Sequence, residues 1–110
     1  MKKFQLYSVN LDPTIGAEMK KTRPCLIVSP DEMNDYVSTV IIVPLTSRER
    51  SLPTRVLIKA SNQSGLKNDS YAAIDQLKTI DKSRLISLIG EISETEKHEI
   101  TNVLIEMFDY

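Results

Sequence analysis

The feature that most constrains this fold is a change in hydrophobic period near residue 92. Before that point, short apolar and β-branched segments are ended repeatedly by Pro, Gly, Asn, Asp or Ser, which is typical of strands and turns. Tyr7, Val9 and Leu11 alternate with polar residues, as expected of a strand with one buried face. Further strands are predicted at residues 23–28, 38–43, 54–58, 71–74, 77–80 and 85–92, the last with a short helical lead-in as an alternative. Segments 23–28 and 38–43 are apolar enough to be buried on both faces.

After residue 92 the apolar residues recur at helical spacing. They are Ile100, Val103, Leu104, Met107 and Phe108. Ser93 and Glu96 have the spacing of a capping box, in which each side chain bonds the other residue's backbone N–H. The sequence therefore predicts a mainly β fold, classed as α+β, that ends in an amphipathic helix.

The connections between the strands are predicted to differ in length and character. Residues 12–22 form a long loop that contains Pro13 and Gly16, and long loops in compact domains are often functional. Ser29, Pro30 and Glu32 have the pattern of an N-cap, a first helical position and a capping partner, so we expect a short helix there. Residues 48–53 and 60–69 are polar connecting loops.

Length and composition bound the class of protein. A chain of 110 residues with 41% hydrophobic and 26% charged residues fits one globular domain, which we assign to residues 1–110. No apolar stretch approaches the roughly 18 residues of a membrane helix, and no apolar signal core follows Met1, so we expect a cytoplasmic protein. Cys25 is the only cysteine, which excludes an internal disulfide and a cysteine metal cluster.

Charge is distributed unevenly along the chain. The net charge is only -1, but residues 1–90 hold 13 of the 14 Lys and Arg against 9 of the 15 Asp and Glu, an excess of four positive charges. Residues 91–110 hold one Lys against six acids. Because local potential steers an encounter, a basic body of this kind can attract a polyanion, although a merely solvated surface gives the same count.

Two polar segments at strand edges contain the residues needed to cut a phosphodiester. Residues 18–24 (EMKKTRP) supply a carboxylate and cations, and residues 44–47 (PLTS) supply two hydroxyls. Cleaving RNA through its own 2′-hydroxyl needs a proton acceptor and donors to the phosphoryl oxygens. His98 is the only histidine and lies off the apolar stripe of the helix, and no cluster of acids and histidine has metal-ligand spacing. We therefore expect arginine, carboxylate and hydroxyl chemistry with no metal and no cofactor.

Four blocks of sequence together resemble the MazF/PemK family of toxin endoribonucleases. They are residues 10–18 (NLDPTIGAE), 21–30 (KTRPCLIVSP), 44–47 (PLTS) and 75–85 (DQLKTIDKSRL). The chain departs from the family at two places. The family usually opens its first strand with Gly and an acid, where this chain has Phe4 and Gln5, and Lys78 stands where many relatives carry Arg.

The resemblance implies a Src-homology-3-like small β-barrel with a C-terminal helix, of the type shared by MazF and CcdB. It also implies a homodimer, a cognate antitoxin as partner, and sequence-selective, metal-independent cleavage of single-stranded RNA. By analogy, the products carry a 2′,3′-cyclic phosphate and a 5′-hydroxyl. The chain would thus be the toxin of a type II toxin-antitoxin system.

We assign the following roles to individual residues. Arg23 would bind the scissile phosphate through its planar fork, with a structural ion pair as the alternative. Thr46, assisted by Ser47, would bond the phosphoryl oxygens, unless the two simply form a turn. Glu18 is the candidate base or base-reading group, and Lys20 and Lys21 would hold backbone phosphates; solvated side chains are the alternative for all three. The RNA-binding residues also include Asp75 and Gln76, for which a structural role is equally open.

Two other functions fit the same fold. A CcdB-like topoisomerase-binding toxin needs no catalytic residues, and a catalytically silent RNA-binding barrel needs only the cations. The joint presence of Arg23 and Thr46 favours the endoribonuclease.

Overall fold

Seven β-strands and two α-helices form the chain in a computed structural model that describes residues 1–110. The strands are β1 (Gln5–Asn10), β2 (Thr22–Ile27), β3 (Thr39–Thr46), β4 (Arg55–Ile58), β5 (Ser70–Ala73), β6 (Lys78–Asp81) and β7 (Leu85–Glu91). The helices are α1 (Asp31–Tyr36) and α2 (Glu94–Phe108), and short 3₁₀ turns cover Ile74–Gln76 and Lys82–Arg84. The mainly β fold with a C-terminal helix is therefore confirmed.

All strand pairs are antiparallel, in the order β4-β5-β3-β2-β1-β7, and β6 also pairs with β3. The eight residues of β3 are enough to pair with β2 along one edge and with β6 and then β5 along the other. Between these two partners the 3₁₀ turn Ile74–Gln76 leaves the ladder, beside the part of β3 where Pro44 has no N–H to donate. This interruption places Asp75 and Gln76 at the surface next to the end of β3.

The sheet separates two apolar clusters, and the alternation of side chains along β2 and β3 fills both. On β2, Leu26 lies in the larger cluster while Cys25 and Ile27 lie in the smaller one. On β3, Val43 and Leu45 lie in the larger cluster, whereas Val40 and Ile42 lie in the smaller. The prediction that both strands are buried on both faces is confirmed.

Helix α2 covers the larger cluster. Its capping box is present, since Ser93 N–H donates to the Glu96 carboxylate (2.9 Å) and Glu96 N–H donates to the Ser93 hydroxyl (3.2 Å). Ile100 is fully buried, whereas Phe108 at the end of the predicted apolar stripe is 70% exposed. Neither helix of the fold is long and apolar enough to cross a membrane.

The predicted N-cap of α1 is wrong. The residue before the helix is Pro30, which provides no side-chain cap. The Ser29 hydroxyl is buried, donates to the Asn34 side chain and accepts from Ile41 N–H, so it joins α1 to β3 and is not available as a cap.

The first strand begins with a residue in an unusual conformation. Phe4, which replaces the Gly usual in the family, has a φ of 72°, a left-handed region that costs a non-glycine residue about 1–2 kcal/mol. Its ring packs against the larger cluster, and the ring centroid lies 5.2 Å from Lys3 Nζ. Its N–H also donates to the Ile27 carbonyl (2.7 Å), so the strand starts in register without the family's Gly and acid.

Cys25 is fully buried in β2. Burial raises the pKa of its thiol to about 12, against the smaller opposing effect of Arg23 and Lys78. The thiol therefore stays protonated at neutral pH.

Candidate active site

Hydrogen bonds hold together the two ends of the loop between β1 and β2. Leu11 N–H donates to the Lys21 carbonyl (3.0 Å), and Lys21 N–H donates to the Asp12 carboxylate (3.0 Å). Arg84 Nη1 donates to the carbonyls of Asn10 (3.3 Å) and Asp12 (2.6 Å). With its two ends held together, the loop presents residues 17–20 beside the start of β2.

These loop residues form one wall of a cleft of about 510 Å³, which we call the cationic cleft. The opposite walls come from the end of β3, the β3–β4 connection and the 3₁₀ turn at residues 74–76. Its charged lining residues are Lys20, Arg23, Arg48, Arg50, Arg55, Glu18 and Asp75. Five cations against two carboxylates give the local positive potential that a polyanion requires.

Arg23 enters the cleft with its charge uncompensated. Its Nε donates to the Lys20 carbonyl (3.2 Å), and its Nη1 contacts the Leu45 carbonyl (3.2 Å) and the Met19 sulfur (3.5 Å). All three acceptors are neutral, and no carboxylate lies within 4.0 Å of the guanidinium. The structural ion pair considered as the alternative for Arg23 is therefore absent.

The two hydroxyl residues at the end of β3 line different depressions of the surface. Thr46 lines the cleft, where its Oγ1 accepts from Arg48 N–H (3.2 Å) and keeps its own proton for a further bond. Ser47 is exposed and lines a different depression with Pro24 and Ile89. The structure thus places Thr46, and not Ser47, in the same cleft as Arg23.

Glu18 stands at the border between the cleft and a smaller side pocket of about 330 Å³. Its carboxylate is about half exposed and lies 3.5 Å from Lys78 Nζ. Lys78, the residue that replaces the family's Arg, therefore holds Glu18 through a single long contact. This arrangement leaves Glu18 accessible.

The two lysines predicted to bind phosphates lie in different places. Lys20 lines the cleft, whereas Lys21 is exposed and does not. Lys21 has a φ of 67°, and this left-handed residue turns the backbone just before β2 begins.

Asp75 lies in the cleft lining, but its carboxylate is occupied. It accepts from Arg55 Nε (2.8 Å) and Nη2 (3.0 Å) and from the Thr54 hydroxyl (3.0 Å). The hydrogen bond from Arg55 lowers the pKa of the Asp75 carboxyl below its ordinary value. Of the two roles left open by the sequence, the geometry favours the structural one.

Gln76 also makes a contact within the chain. Its Oε1 accepts from Met19 N–H (3.4 Å), which ties the 3₁₀ turn to the β1–β2 loop. Because that bond fixes the amide oxygen, the amide nitrogen is left for a ligand in the side pocket or the cleft.

Three arginines of the cleft were missed in the sequence. Arg48, Arg50 and Arg55 were treated as parts of a polar loop and a strand, yet all three line the cleft. The positions of Arg48 and Arg50 shortly after Thr46 were a usable signal, whereas Arg55 returns to the site only as the first residue of β4. No group of three or more His, Cys, Asp or Glu side chains is placed to hold a metal ion.

Comparison with known proteins identifies the family. Residues 2–108 match the family described as the PemK-like, MazF-like toxin of type II toxin-antitoxin systems. The chain is 32% identical over 106 residues to the endoribonuclease MazF of Staphylococcus saprophyticus, covering 94% of this chain and 88% of that protein.

Solved structures are similar over almost the whole chain. The Mycobacterium tuberculosis toxin MazF-mt6 is 26% identical with a TM-score of 0.80, over 96% of both chains. A mycobacterial endoribonuclease in complex with its cognate antitoxin is 26% identical with a TM-score of 0.79, over 96% of this chain and 92% of that one. MazF from Deinococcus radiodurans, at 22% identity, has a TM-score of 0.85 over 100% and 97% of the two chains and shows the shared fold.

These matches confirm the predicted family and support the predicted endoribonuclease activity. Six of the twelve residues that line the cleft, Arg23 and Thr46 among them, belong to the sequence blocks that carried the resemblance. The chain belongs to the PemK-like, MazF-like toxins of type II toxin-antitoxin systems.

Proposed function

We propose that this toxin cuts single-stranded RNA in the cationic cleft without a metal ion, in a sequence-selective manner. The observation that carries the proposal is the pairing of an Arg23 guanidinium that no carboxylate neutralises with the Thr46 hydroxyl in the same cleft. Both groups donate hydrogen bonds, and both are suited to the phosphoryl oxygens on which negative charge accumulates.

In this mechanism the RNA supplies its own nucleophile. The 2′-oxygen attacks the adjacent phosphorus while its proton passes to the Glu18 carboxylate, and the bond from phosphorus to the 5′-oxygen breaks as that oxygen takes a proton from a solvent water molecule. The products are a 2′,3′-cyclic phosphate and a 5′-hydroxyl, with no net oxidation or reduction. Arg23 and Thr46 stabilise the charged phosphoryl group, and a freely accessible Glu18 suits the role of base.

Neighbouring groups in and around the cleft would hold the rest of the strand. Lys20, Arg48 and Arg50 carry the charges for flanking phosphates. Lys21 and Ser47 lie outside the cleft lining, so they would contact only RNA that extends beyond the cleft. Gln76 and Glu18 border the side pocket, which is large enough for an unstacked base and is partly apolar. Because bases must be splayed out to enter it, a duplex is a poor substrate.

The family assignment also suggests how the chain is folded, how it assembles and where it works. We propose that residues 1–110 form one domain, a Src-homology-3-like barrel that works as a homodimer in the cytoplasm. The antiparallel order with β3 shared between three partners supports the barrel. Exposed apolar side chains on β7 and α2, among them Ile86, Leu88 and Phe108, support a dimer that covers apolar surface.

A cognate antitoxin would inhibit by laying an acidic segment across the cationic cleft. The excess of cations there would attract such a segment as it attracts RNA, so the two ligands would compete for Lys20 and Arg23. The related mycobacterial endoribonuclease was solved with its cognate antitoxin bound, which supports an antitoxin as partner here.

One assay tests the proposed activity. The purified protein should cut a single-stranded RNA in EDTA, give a 5′-hydroxyl product, and leave the same RNA uncut when it is fully paired. Loss of cutting in EDTA that magnesium restores would contradict the metal-free mechanism. Binding without cutting in all conditions would identify a silent RNA-binding protein instead.

A further inference from the structure

The Arg23 guanidinium is oriented mainly by the loop that precedes it. Of its three acceptors, the Lys20 carbonyl and the Met19 sulfur belong to the β1–β2 loop, and only the Leu45 carbonyl belongs to the sheet. Nη1 alone contacts both Met19 Sδ (3.5 Å) and Leu45 O (3.2 Å), so these two acceptors fix the rotation of the guanidinium plane. Nη2 makes no hydrogen bond within the chain and is left for a phosphate.

Met19 is itself held from two sides. Its backbone N–H donates to Gln76 Oε1 (3.4 Å), and its half-buried side chain packs against the smaller apolar cluster that contains Leu11 and Cys25. It lines both the cationic cleft and the side pocket. The sulfur therefore has a defined place between the apolar cluster and the cleft.

A thioether suits this place for a physical reason. A carboxylate there would orient Arg23 more strongly, but it would also neutralise the charge that must meet the phosphate. A purely aliphatic side chain would fill the space and accept no hydrogen bond. Thioether sulfur is a weak, uncharged acceptor, so it directs the guanidinium while leaving its charge available.

We propose that Met19 is a positioning residue, which orients Arg23 for cleavage through its sulfur. This inference rests on the proposed RNA cleavage at Arg23. It assigns to Met19 a contribution to kcat that goes beyond filling space.

The test compares Met19→Leu with Met19→Gln. Leu keeps the apolar volume and removes the acceptor, whereas Gln restores an uncharged acceptor within one bond of the sulfur position. We expect Met19→Leu to lower kcat about three- to tenfold, the effect of one weak hydrogen bond, with KM within about twofold. Met19→Gln should recover most of the wild-type kcat. Met33→Leu, a half-buried methionine on α1, is the control and should cut like the wild type.

The order of the two variants decides the outcome. If Met19 only packs, Met19→Leu will cut like the wild type and Met19→Gln will be the poorer enzyme, which overturns the proposal. A wild-type protein that fails to cut contradicts the proposed function and not this inference.

A measurement on the folded protein does not depend on turnover. The NMR shifts of the Arg23 side-chain Nε–H group, which donates to the Lys20 carbonyl, should move in Met19→Leu and stay unchanged in Met33→Leu. Unchanged Arg23 shifts in a folded Met19→Leu would equally overturn the proposal.

Discussion

Two of the four arginines that line the cationic cleft, Arg23 and Arg55, have opposite surroundings. Arg55, from β4, forms a two-pronged ion pair with Asp75, and its side chain is only 7% exposed. Arg23, from β2, has only neutral acceptors and no carboxylate partner. Position in a cleft therefore does not define a role. The partner of each guanidinium shows whether its charge stabilises the fold or remains for a ligand.

The difference originates in the chain segments that adjoin each arginine. The 3₁₀ turn at residues 74–76 places a carboxylate against Arg55, and Thr54 adds a hydroxyl to the same group. The β1–β2 loop offers Arg23 only a carbonyl and a thioether, while Glu18 of the same loop pairs with Lys78. The pairing of Glu18 with Lys78 thus leaves the Arg23 charge available for a ligand.

Removing each arginine gives the largest expected contrast. Arg23→Ala should reduce cleavage by about a hundredfold or more through loss of a charge contact in the transition state, with little change in stability. Arg55→Ala should lower stability by about 1–3 kcal/mol, because it leaves a partly buried carboxylate without its main partner. RNA cleavage rates and urea unfolding of both variants measure these effects. Equal losses of activity in folded Arg23→Ala and Arg55→Ala would contradict the division of roles.

Two threonines allow the same contrast without a change of charge. Thr46→Val keeps the shape at the Arg23 end of the cleft and removes the hydroxyl, so cleavage should fall about ten- to a hundredfold. Thr54→Val removes the hydroxyl that donates to Asp75 and should cost only about 1 kcal/mol of stability. Single-turnover cleavage and thermal unfolding separate the two variants. If Thr54→Val slowed cleavage as much as Thr46→Val, the Asp75 cluster would belong to the catalytic machinery.

The Arg55–Asp75 pair should be visible in the pH dependence of stability. The pKa of Asp75 is lowered in the folded state, mainly by its hydrogen bond from Arg55, so its contribution is complete above the unfolded-state pKa near 3.8. That contribution is lost as the pH falls below this value towards the folded-state pKa. The stability gap between the wild type and Asp75→Asn should therefore be largest above about pH 5 and shrink in acid. Urea unfolding from pH 3 to 7 tests this, and a constant gap would show that the carboxylate charge is irrelevant.

The smallest effects concern the two lysines beside Arg23. Lys20→Ala should weaken binding of RNA about three- to tenfold and flatten its salt dependence, since one phosphate contact is lost. Binding of the antitoxin should weaken in parallel if it uses the same cleft. Lys21→Ala, outside the cleft lining, should change either affinity less than about twofold. Titrations at several salt concentrations measure both, and loss of RNA binding with unchanged antitoxin affinity would place inhibition at another surface.

Local patterns predicted the elements well because they depend on near neighbours in the chain. The doubly buried runs of β2 and β3 and the Ser93–Glu96 capping box are visible in the sequence and present in the structure, whereas β1 was predicted to bury one face and also buries Leu6 in the larger cluster. The cap of α1 was missed because Ser29 bonds to β3, a strand that begins ten residues later. A local pattern cannot show that a distant strand will take its hydroxyl.

The site was predictable in part for the same reason. Arg23 and Thr46 were predicted because each lies at the end of a strand whose bounds are visible in the sequence. The structure brings them to one cleft. Ser47 and Lys21 were grouped with them as sequence neighbours, but the alternation of β3 and the left-handed backbone at Lys21 direct them elsewhere. The pairing of Arg55 with Asp75 joins positions 20 residues apart and could not be predicted without the register of β4 and β5.

The buried thiol of Cys25 can report on local opening of the fold. Only the thiolate reacts with a disulfide reagent, and this thiol is buried with a pKa of about 12, so the native state is inert. Labelling requires β2 to separate from its neighbours, two residues from Arg23. The labelling rate therefore measures how often β2, the strand that carries Arg23, opens, and no other cysteine competes for the reagent. A ligand that spans the cleft will lower this labelling rate without touching the sulfur.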